Sequence, residues 1–283
     1  MPDFPIVDTH LHLWDVRRFH YGWLESVPAL NKNHLIEDYR RECGPVQVEK
    51  MVFVQCECAP AQALGEAEWV TDVARTDPRI RGIVARASLE LGAAAEPEIA
   101  QLAALPLVKG VRRLIQSEPD LEFCLQPGFV RGVQLLPRYG LSFDLCIKHP
   151  QLANTIELVR QCPDVRFILD HIGKPDIAAH QLEPWKDELR ELARLDNVWC
   201  KLSGLVTEAN HATWTTDDLR PYIEHVIACF GFDRVMFGSD WPVSSLATHL
   251  PRWVHTVDTV LAGCSSDERI QLYTKVADAF YRL

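Results

Sequence analysis

What this sequence lacks narrows it before any motif is considered. No stretch approaches the run of about 18 apolar residues that a membrane-crossing helix needs, so no such helix is expected. Positive charge is short: 29 Lys+Arg stand against 39 Asp+Glu, for a formal net charge of -10. That balance argues against nucleic acid or an anionic membrane as the main partner and allows a small anion only in a local basic pocket. The nine cysteines are odd in number and lack paired CxxC spacing, with Cys56-Glu57-Cys58 the one close pair. A zinc ribbon or disulfide framework is therefore not expected; reduced, mostly buried thiols in a cytoplasmic protein are. Met1 to Phe4 show neither the basic nor the apolar region of an export signal. No glycine-rich phosphate turn follows the first apolar strand, which removes the usual mark of a dinucleotide-binding sheet. No two strands are joined by a hairpin signal, and no linker or internal repeat interrupts the chain.

What is present is a rhythm. The composition, 47% hydrophobic and 24% charged over 283 residues, is that of a globular chain able to build one large core. Short apolar runs at 6–14, 49–56, 80–89, 107–115, 141–147, 166–171, 197–202 and 234–238 predict eight strands. Helical patterns fall between and after them, at 35–43, 61–75, 93–104, 128–139, 150–161, 183–194, 217–229, 248–261 and 267–281. Parallel strands need crossovers, and near-continuous apolar runs suit strands covered on both faces. Eight such units predict a single (β/α)8 TIM barrel, an α/β fold of one domain over residues 1–283. Between strand one and the first helix, residues 14–33 form a long aromatic-bearing loop of the kind that usually serves function.

A barrel collects its chemistry at the C-terminal ends of its strands, and the polar residues fall there. Strand one carries Asp8, His10 and His12, which alternation places on one face with Thr9, Leu11 and Leu13 on the other. Strand two ends in Gln55 and Glu57, strand four in Arg112 and Arg113, and strand five in Asp144 and Cys146. Strand six ends in Asp170-His171, strand seven in Lys201-Leu202-Ser203-Gly204, and strand eight in Gly238-Ser239-Asp240-Trp241-Pro242. Any one of these is as well explained as a cap or turn residue; the ordered set is not. Lys174, His180 and His211 are expected at the surface, and the cysteines as core fillers.

That set resembles the amidohydrolase superfamily in His10-Leu11-His12, His171 and Asp240. With Phe143-Asp144-Leu145, Asp170-His171-Ile172-Gly173-Lys174-Pro175 and Lys201-Leu202-Ser203-Gly204-Leu205, it is similar to the lactonase-like branch. This branch includes sugar lactonases, among them the L-fuconolactonases of bacterial fucose catabolism, and pyrone-dicarboxylate and muconolactone-type hydrolases. The resemblance implies a distorted amidohydrolase-type barrel that hydrolyses a lactone by activated water. Metal-dependent members of the superfamily add a histidine on strand five, and binuclear ones a lysine or glutamate on strand four. Here those positions hold Asp144, Cys146 and Arg112.

Because Arg112 would repel a dication, turnover with no cofactor required is the expectation. His10, His12 and Asp240, with His171 or His149 in reserve, are the metal ligands if zinc or another divalent ion binds. In the expected reaction Asp240 is the general base, with His10, His12, His171 or Arg112 as donors to the developing oxyanion. Lys201, Gln55, Asp144, Tyr21, Trp23 and Trp241, together with Arg112, are left for substrate binding. Polar groups beside aromatic faces suit an uncharged sugar lactone, handled by a monomer or homo-oligomer. The alternatives are a zinc-dependent amidohydrolase or decarboxylase acting on a small carboxylate or amide, and a non-catalytic sugar-binding barrel.

Overall fold

The computed structural model describes residues 1–283. Eight strands lie in the sequential order β1 to β8, every neighbouring pair parallel. They are β1 (Ile6–Leu11), β2 (Val48–Val54), β3 (Ile80–Ala85), β4 (Val108–Val111), β5 (Ser142–Leu145), β6 (Phe167–Leu169), β7 (Val198–Leu202) and β8 (Val235–Phe237). The helices are α1 (Ile36–Glu42), α2 (Ala63–Thr76), α3 (Glu96–Ala103), α4 (Pro127–Val133), α5 (Leu152–Gln161), α6 (Trp185–Leu192), α7 (Leu205–Glu208), α8 (Thr216–Phe230), α9 (Leu250–Val260), α10 (Ser266–Ile270) and α11 (Val276–Tyr281). All eight predicted strands form, each shorter than its apolar run. The residues beyond each strand's end are turns that carry polar groups into the mouth of the barrel.

The seam between β1 and β8 is closed by a few bonds at its C-terminal end. His12 N–H donates to Trp241 C=O (2.8 Å) and Asp240 N–H to His10 C=O (2.9 Å). At the opposite end α11 forms the floor. Val276, Ala277, Phe280 and Tyr281 pack against Val7, Val52, Val84, Ile168 and Met236, the inward side chains of the lower barrel. Lys50 clamps that helix through Asp278 at 2.7 Å.

The alternation expected for β1 fails at one residue. The pairing of Asp8 with Met51 and of Leu11 with Phe53 spends three steps on β1 against two on β2, which is a bulge. Val7 therefore faces inward, while Asp8 turns outward to accept from Tyr39 Oη of α1 (2.6 Å) and from Ser239 N–H (2.8 Å). After the bulge His10 faces inward again. Asp8 does not share a face with His10 and His12; it fastens the strand end that carries them.

Candidate active site

The polar interior has two storeys. The lower one is a sealed charge cluster in which Asp144, Asp170 and Lys201 are wholly buried. Lys201 Nζ lies 2.5 Å from Asp144 Oδ2 and 3.1 Å from Asp170 Oδ1. Tyr281 Oη donates to Asp144 Oδ2 at 3.1 Å, and Arg112 Nη1 to Asp170 Oδ2 at 3.1 Å. Burial pushes the Asp170 carboxyl up, but Lys201, His10 and Arg112 together hold it well below the usual carboxylate range. Unpaired, any of these charges would be expensive to keep out of water.

The upper storey rests on that cluster through His10, whose Nδ1 is 3.3 Å from Asp170 Oδ1. His10 Nε2 lies 3.1 Å from His12 Nε2 and 3.3 Å from Arg112 Nη1. Asp240 Oδ1 is 3.5 Å from His12 Nε2 and 3.8 Å from the Nε2 atoms of both His10 and His171. His12 is oriented by Nδ1 against Val54 C=O (2.7 Å), and His171 by Nδ1 against Ser203 Oγ (2.9 Å). Burial depresses all three imidazoles, so the neutral form is favoured. Asp240 is pushed up by burial, yet His171 and the His12 hydrogen bond bring it below the usual range and keep it ionised.

These partners fix the tautomers. His12 donates from Nδ1, so its Nε2 is a lone pair. At His10, Nδ1 faces the Asp170 carboxylate at 3.3 Å, closer than Lys201 Nζ at 3.4 Å, and Nε2 faces the donor Arg112, so the proton sits on Nδ1 and Nε2 is a lone pair too. Two lone pairs at 3.1 Å with a carboxylate oxygen alongside need a cation or a shared proton between them. Zinc bonds of about 2.0–2.1 Å in tetrahedral geometry separate ligand atoms by roughly 3.3–3.4 Å. His10, His12 and Asp240 thus fit a divalent ion. The charge on Arg112, expected to repel such an ion, is already matched by Asp170.

A cavity of about 200 Å³ opens above this group, and His12, His171, Asp240, Arg112 and Trp23 line it. His10 lies just beneath. The structure brings these six together. Five other residues expected on substrate lie elsewhere, each for a physical reason. Lys201 and Asp144 are spent on one another below. Gln55 is buried and turned onto Glu57, its Nε2 3.0 Å from Glu57 Oε2. Tyr21 donates to Glu66 Oε1 (3.0 Å), tying the long loop to α2. Trp241 is packed against Tyr39, tilted, with ring centroids 5.4 Å apart, and edge-on against His34 at 5.5 Å.

The cavity holds residues that the sequence did not single out for it, chiefly Glu57, Lys174, Gln116 and Ser117. Glu57 stood at the end of strand two, but Lys174 was expected at the surface. It turns inward because residues 171–174 all have positive φ, from +49° to +77°, a left-handed turn that no local pattern announces. Cys146 also reaches the cavity wall.

Comparison with known proteins agrees with this arrangement. The amidohydrolase family pattern matches residues 7–283. An L-fucono-1,5-lactonase of Burkholderia ambifaria is 30% identical, the match covering 98% of this chain and 95% of that one. An L-rhamnono-gamma-lactonase of Scheffersomyces stipitis is 24% identical over the full length of both. A crystal structure of an amidohydrolase from Burkholderia multivorans with bound zinc superposes with a TM-score of 0.88 at 28% identity, covering 99% of this chain and 100% of that one. Whole-length similarity, the same barrel and the ordered histidines and aspartates at its strand ends place this chain in the amidohydrolase family.

Proposed function

We propose that the protein hydrolyses a neutral sugar lactone, of the L-fuconolactone kind, to the aldonic acid by attack of water, as a step of L-fucose breakdown. The observation that carries this reading is Asp240 Oδ1, an ionised oxygen within 3.5 to 3.8 Å of three imidazole Nε2 atoms at the floor of the cavity. A water in that group would be held by the imidazoles and give its proton to Asp240 as its oxygen bonds the carbonyl carbon; the ring C–O bond then breaks, and that proton passes from Asp240 to the leaving ring oxygen. Positioned general-base catalysis of this kind contributes roughly 10²–10⁴-fold. Ring opening of an ester asks less of the base than amide cleavage. The developing oxyanion would face Arg112 and His171, both buried and held in place by Asp170 and Ser203 respectively. Trp23, its Nε1 bound to Cys56 C=O at 2.8 Å, offers a rigid face for the apolar side of a sugar ring.

A divalent ion held by His10, His12 and Asp240 would polarise the carbonyl and lower the pKa of bound water. Arg112 Nη1, 3.3 Å from His10 Nε2, donates to that lone pair without an ion, so in this reading turnover does not require one. The named lactonases among the relatives support the ester substrate. The acidic chain acts on its small molecule without nucleic acid or membrane, as a monomer or homo-oligomer. No helix is long and apolar enough to cross a membrane.

A pH-indicator screen of neutral and acidic lactones, run with and without exhaustive chelation and metal analysis, tests this. Turnover of a neutral sugar lactone that survives chelation is expected. Activity that vanishes and returns with zinc would make the ion obligatory. Tight sugar binding with no turnover of any lactone would favour a non-catalytic barrel.

A further inference from the structure

Backbone strain marks two cavity residues that the reaction above leaves without a task. Non-glycine residues with positive φ cost about 1 kcal/mol or more each and persist where the surroundings impose them, often at functional sites. Seven occur in this chain, and four of them line the cavity: Glu57 (φ +55°), His171 (+53°), Lys174 (+49°) and Asp240 (+58°). His171 and Asp240 belong to the chemistry. Glu57 and Lys174 do not.

Glu57 is held with an oxygen to spare. Its N–H donates to Gln55 Oε1 (2.5 Å) and its Oε2 accepts from Gln55 Nε2 (3.0 Å). Its Oε1 is in an ion pair with Arg86 Nε at 3.6 Å, beyond hydrogen-bond reach, and that Nε makes no hydrogen bond. Lys174 Nζ is 3.9 Å from Glu208 Oε1, an ion pair without a hydrogen bond, so its donors are free for another partner. Glu57 follows β2 and Lys174 follows β6, and strands four apart in an eight-stranded barrel face each other across the mouth. Asp240 after β8 and Arg112 after β4 hold the other diagonal.

We propose that Glu57 and Lys174 form the recognition axis of the site, with Glu57 the specificity-determining residue. Its carboxylate accepts from neighbouring hydroxyls of the lactone, while Lys174 donates to an oxygen substituent on the opposite side. A carboxylate acceptor matches a hydroxylated edge and rejects an anionic one, since a second carboxylate there would meet Glu57 with no proton to share. The cavity therefore selects lactones whose substituents are hydroxyls. This rests on the lactonase reading.

The test compares a hexonolactone with the aldarolactone that differs from it only by a carboxylate in place of the terminal carbinol. For Glu57→Gln, KM for the hexonolactone is expected to rise about tenfold with the loss in KM rather than kcat, and the preference over the aldarolactone to narrow by about tenfold or more. Lys174→Gln is expected to raise KM for the hexonolactone and to leave the charge preference unchanged. An unaltered preference in Glu57→Gln, or equal losses of kcat and kcat/KM in either variant, overturns the axis. Calorimetric binding of the two corresponding lactams, which resist hydrolysis, reads the same preference without turnover. A wild-type protein that prefers the neutral lactam through Glu57 and hydrolyses neither lactone would refute the lactonase reading alone.

Discussion

Lys201 shows how far a single residue can be read from sequence. Its place at a strand end identifies an inward polar group, and it is one. Alternation fixes the face of a strand but not the height of a side chain in the barrel, which depends on the stagger of all eight strands. Lys201 sits one layer below the cavity, bonded to Asp144 and near Asp170, and so has a structural part. Lys201→Met is therefore expected to destabilise the fold by roughly 3–5 kcal/mol, the cost of leaving buried carboxylates unpaired. Urea denaturation checks this. Unchanged stability with a raised KM would instead put Lys201 on the substrate. His12, His171 and Asp240 were legible because the HxH pair, the Asp170-His171 turn and the Gly-Ser-Asp-Trp-Pro turn sit at the tops of their strands, whatever the stagger.

At the scale of elements, the strands were legible and their exits were not. Apolar runs bounded by polar turns mark buried strands, and all eight appear where expected. The bulge that turns Asp8 outward has no sequence mark, because Thr9 and His10 suit a regular strand equally well. The left-handed turn at 171–174 has one glycine among four positive-φ residues, so it too is set by its surroundings. Part of those surroundings is Gly204, after β7, with φ +68°. A Cβ there would lie 2.5 Å from His171 Nδ1 and 3.1 Å from Asp240 Oδ2. Gly204→Ala is expected to displace both side chains and lower kcat by about 10²-fold, a typical cost of a misplaced catalytic group. Steady-state kinetics beside a thermal melt checks that the loss exceeds any loss of fold.

For the molecule as a whole, the count and alternation of elements specified the barrel, while α11 as its floor was hidden, since a terminal amphipathic helix packs as readily on a flank. The long loop is tied to the body through a buried acid, which makes its attachment sensitive to pH. Burial raises the Glu66 carboxyl to about 7 from its ordinary 4.5, although Tyr21 and Cys56 N–H both donate to it. Native Glu66 thus binds its proton more tightly than the unfolded chain does. Its contribution is whole below about pH 4.5 and is lost as pH rises through about 7, on the order of 3 kcal/mol. Denaturation at about pH 5 and about pH 8 should show that decline in the wild type and a flatter profile in Glu66→Gln.

The proposed function rests on one oxygen, Asp240 Oδ1. Asp240→Asn keeps the size and shape of the side chain and removes the proposed base. The decisive measurement is its kcat on a neutral sugar lactone, taken beside a binding isotherm and a thermal melt. A fall of roughly 10²–10⁴-fold with binding and fold intact is the expected result. Turnover within about tenfold of the wild type would contradict Asp240 as the base and, with it, the proposed attack of water.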